Sequence, residues 1–311
     1  MGPYAAADAP DGADGADPGV WQQIFDFTDY AELLALVHHS LLAGALLGLV
    51  GGLVGVFVIT RDLPFAVHGI SELSFAGAAA ALLTGFNVVA GSIVGSLLAA
   101  AAIGLLGVRA RDRNSVIGII MPFGLGLGML FLSLYQGRAA NKFGLLTGQI
   151  VAVDTPQTAW LVGTSVVVLA ALAVLWRPLT FAGADPDVAA ARGVPVRVLS
   201  LAFMLILGLA VALCVQIVGA LLVLALLVTP AAAAARVTAS PVLLPVLSVL
   251  FALVAMEGGI LLAVGSSIPI SPYVTTLAFV IYLGCRLVGS RRAARTTRTA
   301  PLAEHPPVSR V

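Results

Sequence analysis

The feature that most constrains this chain is a succession of apolar runs, each long enough to cross a bilayer, from about residue 36 to about residue 288. A helix needs about 20 predominantly apolar residues to cross about 30 Å of hydrocarbon. Runs of that order lie near 36–59, 64–84, 88–108, 116–135, 158–176, 198–217, 219–235, 242–264 and 273–288. Composition agrees: of 311 residues, 60% are hydrophobic and 10% are charged, whereas a soluble domain carries about 25% charged residues. The expected fold is all-α, a polytopic transmembrane helical bundle with the lipid membrane around it. Nine spans are expected. Eight is the alternative, because the runs 198–217 and 219–235 are nearly continuous, with only Gln216 and Gly219 marking a break. Pro230, late in the seventh run, should kink that helix or free a carbonyl.

Charge orients the runs, since cytoplasmic loops carry an excess of Lys and Arg. With nine spans and the N-terminus outside, fourteen of the sixteen basic residues fall on the inner side, and only Arg138 and Lys142 fall outside. Three regions are expected. Residues 1–30 form an acidic, Ala/Gly/Pro-rich disordered tail and an aromatic interfacial segment; with no basic stretch at its start, the tail is not a signal peptide. Residues 31–290 form the transmembrane domain, with a cytoplasmic segment at 177–197. Residues 291–311 form a basic cytoplasmic tail. A net charge of +1 gives no argument for a nucleic-acid partner. Cys214 and Cys285 both fall in apolar runs without metal-type spacing and read as small buried hydrophobes. Small residues are dense at 44–55, 75–83 and 124–128, where helices can approach closely.

Few ionisable residues lie inside the runs: His68, Glu72 and Glu257, with His38 and His39 near the outer end of the first. Such residues are costly in a membrane and are functional-site hypotheses by default. His68 and Glu72 stand at i and i+4, on one helical face. An imidazole beside a carboxylate suits a divalent metal ion. Glu257 could be a third ligand, a proton-linked group or an arginine's partner. His38 and His39 could snorkel or capture an incoming ion. In the segment 177–197, Asp185 is placed to cap a short helix, with Pro186 at its first position, Asp187 and Ala189 within it and Gly193 to end it. A capped helix between two spans on the basic side suits docking of a cytosolic partner. Segment 143–153 is too broken to span and could dip into the protein. The chain has no G-x-x-x-x-G-K-[ST], H-E-x-x-H or G-x-S-x-G motif, so it is not expected to hydrolyse ATP or to be an enzyme.

Four segments, in order, carry a family resemblance. FVITRDLPFAVHGISELSFAG (57–77) resembles a segment in which an arginine-containing turn leads into a polar helix. TGQIVAVD (147–154), FAGADPDVAAARGVPV (181–196) and VGALLVLALLVTPAAAA (218–234) are similar to further signature stretches. Together they resemble the permease of bacterial ABC importers for zinc or manganese. The resemblance implies a multi-pass protein of the bacterial plasma membrane that dimerises, with two cytosolic ATPases below and an extracytoplasmic metal-binding protein above. It implies that 185–194 is the coupling helix that seats in the ATPase, and that the polar helix lines the path of the transported zinc or manganese. No tightly bound cofactor is implied. Where the common pattern has Asp, this chain has His68, and where it has His, this chain has Glu72. The donor types survive with their order exchanged. A secondary transporter, or an ABC permease for another small solute, is the alternative.

Overall fold

The computed structural model describes residues 38–107, 110–137, 144–145, 155–220, 222–264 and 269–299. The expected tail at 1–30, most of the segment 143–153 and the last twelve residues therefore lie outside the described residues. Eleven helices are described: α1 (His38–Thr60), α2 (Pro64–Thr84), α3 (Val88–Leu106), α4 (Ala110–Leu134), α5 (Thr155–Ala184), α6 (Pro186–Ala191), α7 (Val196–Val218), α8 (Val223–Leu227), α9 (Thr229–Val237), α10 (Leu243–Val264) and α11 (Ile270–Thr299). Eight of them, α1 to α5, α7, α10 and α11, are long and apolar enough to cross a membrane.

The seventh expected span is not one of the eight. Gly219 takes φ 81° and ψ 159° and ends α7, a conformation essentially confined to glycine because a Cβ would clash there. The stretch that follows breaks at Val228 into α8 and α9, and Pro230 occupies the first turn of α9. This stretch still travels from one end of the bundle to the other. Gln216 Nε2 donates to Val88 O at the start of α3. Leu226 and Leu227 meet Gly51 and Gly55 of α1, and the Arg236 carbonyl abuts Gly289 of α11. The result is eight continuous helices and one broken passage, which keeps the two described termini at opposite ends.

Local rules set the other boundaries. α1 ends in a Schellman motif, in which Leu63 N–H donates to Val58 O at 2.9 Å and Asp62 N–H to Ile59 O at 3.3 Å. Asp62 sits there at φ 55°, the left-handed position that glycine usually takes and that Asp tolerates. Pro64 then opens α2, Gly85 closes it at φ 75°, and Asn87 caps α3 by accepting the Ala90 N–H at 3.1 Å. α5 runs past Pro178 to Ala184, so the first part of the segment 177–197 continues the fifth long helix. α11 likewise continues to Thr299, into the stretch expected to be a separate tail.

Helices α1, α2 and α7 form the centre, with 67% of each apolar stretch buried, against 22% for α4 and 17% for α11. Glycines set the approach distances. A β-carbon on Gly52 would lie 2.6 Å from Val249 Cα, and one on Gly48 would lie 3.2 Å from Leu253 Cα. These contacts make α1 and α10 an antiparallel pair. Gly77 and Gly95 bring α2 against α3, and Gly69 and Gly124 bring it against α4. In hydrocarbon such close packing supplies the attraction that apolar burial supplies in water. Buried hydroxyls add to it: Ser248 Oγ donates to Gly52 O at 2.7 Å, and the Ser74 and Ser92 hydroxyls lie 2.7 Å apart.

Candidate functional site

His68 and Glu72 lie in the first turns of α2, the helix at the centre of the bundle. Pro64 starts that helix directly after the Arg61–Leu63 turn, so His68 stands about one turn in and Glu72 about two. His68 Nε2 and Glu72 Oε1 are 3.7 Å apart, with the His68 side chain 30% exposed and the Glu72 side chain 8% exposed. That separation is too long for a hydrogen bond. It is shorter than two metal–ligand bonds of about 2.1 Å laid end to end, so one ion can touch both donors. His68 Nδ1 is buried with no hydrogen-bond partner. Around the pair the packing is small-residue packing: a β-carbon on Gly124 of α4 would lie 2.9 Å from the Glu72 carbonyl carbon. Ser71 Oγ turns back to His68 O at 2.8 Å.

The structure does not bring Glu257 to this pair. Glu257 lies on α10, where its carboxylate packs toward Gly44 of α1, and its Oε1 is buried without a hydrogen-bond partner. Among the described residues no three of His, Cys, Asp and Glu gather in one place. One chain thus offers two donors at His68 and Glu72, and Glu257 is a separate intramembrane carboxylate in the outer part of the α1–α10 seam. His38 and His39 open α1, exposed, with ring centroids 4.1 Å apart.

The second element of interest is the cytoplasmic arm. Asp185 Oδ1 accepts the N–H groups of Asp187 and Val188 at 3.0 Å each. Pro186 occupies the first turn of α6, Ala189 is its buried residue, and Gly193 follows at φ 83°. Each of these positions folds as its residue type dictates. Val194 N–H donates to Ala189 O at 3.0 Å, closing the turn. The arm is an extension of α5, since Asp185 N–H still reaches Phe181 O.

In the sequence, Arg61 stands out as an inner charge and as the arginine of the turn that leads into the polar helix. The structure places its Nη2 3.0 Å from Leu179 O on α5 and its guanidinium carbon 5.5 Å from the Phe203 ring on α7. Phe57 joins them, 4.9 Å from the Trp176 ring and 5.8 Å from Phe203. Burial, and after it the charge of Arg113, lower the Arg61 pKa from its ordinary value, from so high a start that it stays a cation. The signal available in the sequence was position: Arg61 is the only basic residue between the first two runs.

The model of the ABC 3 transport family matches residues 34–289. The chain is 31% identical to the manganese import system permease protein ScaB of Streptococcus parasanguinis, over 68% of this chain and 75% of that one. It is 24% identical to the high-affinity zinc uptake system membrane protein ZnuB of Haemophilus influenzae, over 74% of this chain and 89% of that one. Among solved structures, PsaBC from Streptococcus pneumoniae in complex with Fab matches at TM-score 0.77 and 24% identity, covering 88% of this chain and 100% of that chain. At that identity the likeness is one of fold.

Proposed function

The chain belongs to the ABC 3 transport family, and from that premise we propose that it is the permease subunit of an ATP-driven importer for a divalent metal ion, manganese or zinc. As a permease it is a transport component of a bacterial membrane, not an enzyme, and ATP hydrolysis belongs to a separate cytosolic chain. The observation that carries the metal reading is the pair His68 and Glu72, two donors 3.7 Å apart on the central helix. The relatives named for manganese and zinc agree with it. The donor set of one nitrogen and one oxygen suits either ion.

In this reading the transmembrane domain spans 31–290, between the acidic N-terminal segment and the basic C-terminal one. An external metal-binding protein delivers the ion, which passes His68 and Glu72 before release inward. Two donors from one chain leave a metal ion's coordination open. A second copy of the chain, or water, completes it, so a permease dimer is part of the proposal. Glu257 lies apart from the pair and does not share an ion with it. α6, with Asp185, Pro186, Asp187, Ala189 and Gly193, seats in the ATPase. Closure of the ATPase pair on ATP then switches the permease between outward and inward access.

The test is metal-resolved uptake in a strain lacking the chain, complemented by wild type or by the double variant His68→Ala/Glu72→Ala. Manganese or zinc uptake should return with wild type and stay at background with the double variant, at equal amounts of membrane-inserted protein. Full uptake by the double variant would sink the site assignment.

A further inference from the structure

We propose that Arg61 is a positioning residue that ties the α5–α6 docking arm to the helix carrying His68 and Glu72, so that the two move together. This inference rests on the transport reading above. Its starting point is the bond from Arg61 Nη2 to Leu179 O. Leu179 lies just beyond Pro178, on the part of α5 that projects toward α6, and it is fully buried. A bond from a cationic donor, here part-buried, is among the stronger single links a protein makes. From Leu179 the arm runs in unbroken helix to Ala184 and then to the capping Asp185.

The other end of the link is equally stiff. Arg61 stands in the Schellman turn, whose Leu63 is 3% exposed and hydrogen-bonded back to Val58 O. Pro64 follows directly, with its fixed φ, and His68 comes one turn later. Displacement of the turn is therefore delivered to the donor pair rather than absorbed by a loop. The position is also a junction of three helices, because Phe203 of α7 lies beneath the guanidinium and Phe57 of α1 packs against both Phe203 and Trp176 of α5.

No carboxylate pairs with Arg61 among the described residues. Its Nε is buried and has no acceptor. One guanidinium donor is engaged on Leu179 O of α5 and Nε is unused, so the tie between α2 and α5 rests on this single bond.

The experiment uses the complete complex, this chain with its ATPase and external binding protein, in proteoliposomes. Two variants are compared with wild type, Arg61→Met, which removes the donors, and Arg61→Lys, which keeps one. Arg61→Met should lower metal moved per ATP hydrolysed at least tenfold while basal ATP hydrolysis stays within twofold, and Arg61→Lys should recover a substantial part of the ratio. A brace without a coupling role would lower transport and hydrolysis in parallel, leaving the ratio unchanged and overturning the proposal. A second measurement involves no metal. Spin labels at F65C on α2 and T180C on α5, both exposed positions, are introduced with C214A and C285A. Their separation should be the same with and without ATP in the wild-type background and should change with ATP in R61M. An ATP-dependent change already present with Arg61 intact would also overturn it. If wild type moved no metal but held the label distance, the metal reading would fail while the mechanical link stood.

Discussion

At the scale of single residues, the cost of an ionisable group in hydrocarbon dominates. Glu72 is 8% exposed, and its nearest cationic candidate is the His68 imidazole 3.7 Å away. A cation held between them requires His68 neutral and Glu72 ionised, so protons compete with the metal. The sign follows: uptake is full where both donors are deprotonated and falls as pH drops through their titrations. Initial uptake rates measured from about pH 8 down to about pH 5, the range in which imidazole changes charge, should decline in wild type. Glu72→Gln keeps the side-chain shape and removes the charge, and should cut uptake at least tenfold at the upper end of that range. Unchanged uptake by Glu72→Gln would show that the carboxylate charge is not used. Much of this pair was legible beforehand, because i, i+4 spacing holds in any helix. The separation of Glu257 was not, because no local rule says which face of α10 meets which helix.

At the scale of elements, short-range chemistry wrote the arm of α5 and α6 almost completely. Asp185, Pro186 and Gly193 are cap, first-turn and terminator residues, and each stands in its expected place. Asp185→Ala leaves two N–H groups without their acceptor and costs the short helix about 1 kcal/mol. At six residues, α6 has little else to hold it. The expected outcome is several-fold weaker retention of the ATPase by the detergent-solubilised permease, recovered by Asp185→Ser, which also caps. Equal retention by the alanine variant would remove α6 from the docking surface. The stretch 219–235 was expected as a span kinked by Pro230, with eight spans as the alternative, and it crosses the bundle as two short helices. Its apolar content is that of a span, but Gly219 and the break at Val228 divide it, and hydropathy does not register backbone conformation. The fifth run was expected to end near residue 176, yet its helix continues through Pro178 to Ala184.

At the scale of the whole molecule, glycine seams decide how closely the helices pack. Gly52 meets the Val249 backbone, and Gly55 meets the Leu227 carbonyl, where the broken passage crosses α1. Gly52→Ala would put a β-carbon 2.6 Å from Val249 Cα, forcing α1 and α10 apart at a cost of about 1–3 kcal/mol. Thermal unfolding of the purified complex should shift down by several degrees. Gly126, whose β-carbon would meet nothing within 4 Å, should accept alanine with no such loss. Equal melting of the two variants would mean that the seam does not set stability.

The sequence by itself determined the solvent of this protein, its helical class, the sidedness of its charges, the capped arm and the donor types at 68 and 72. Each of these follows from composition or from spacing within one helix, where geometry is common to all helices. Only the tertiary structure decided where the passage 219–237 breaks, that Glu257 stands apart from the donor pair, and that Arg61 reaches Leu179. These depend on contacts between residues far apart in the chain: the Arg61–Leu179 bond joins positions 118 residues apart. In hydrocarbon such pairings are selected by the fit of small residues and by single buried hydrogen bonds, and neither leaves a periodic mark on the sequence.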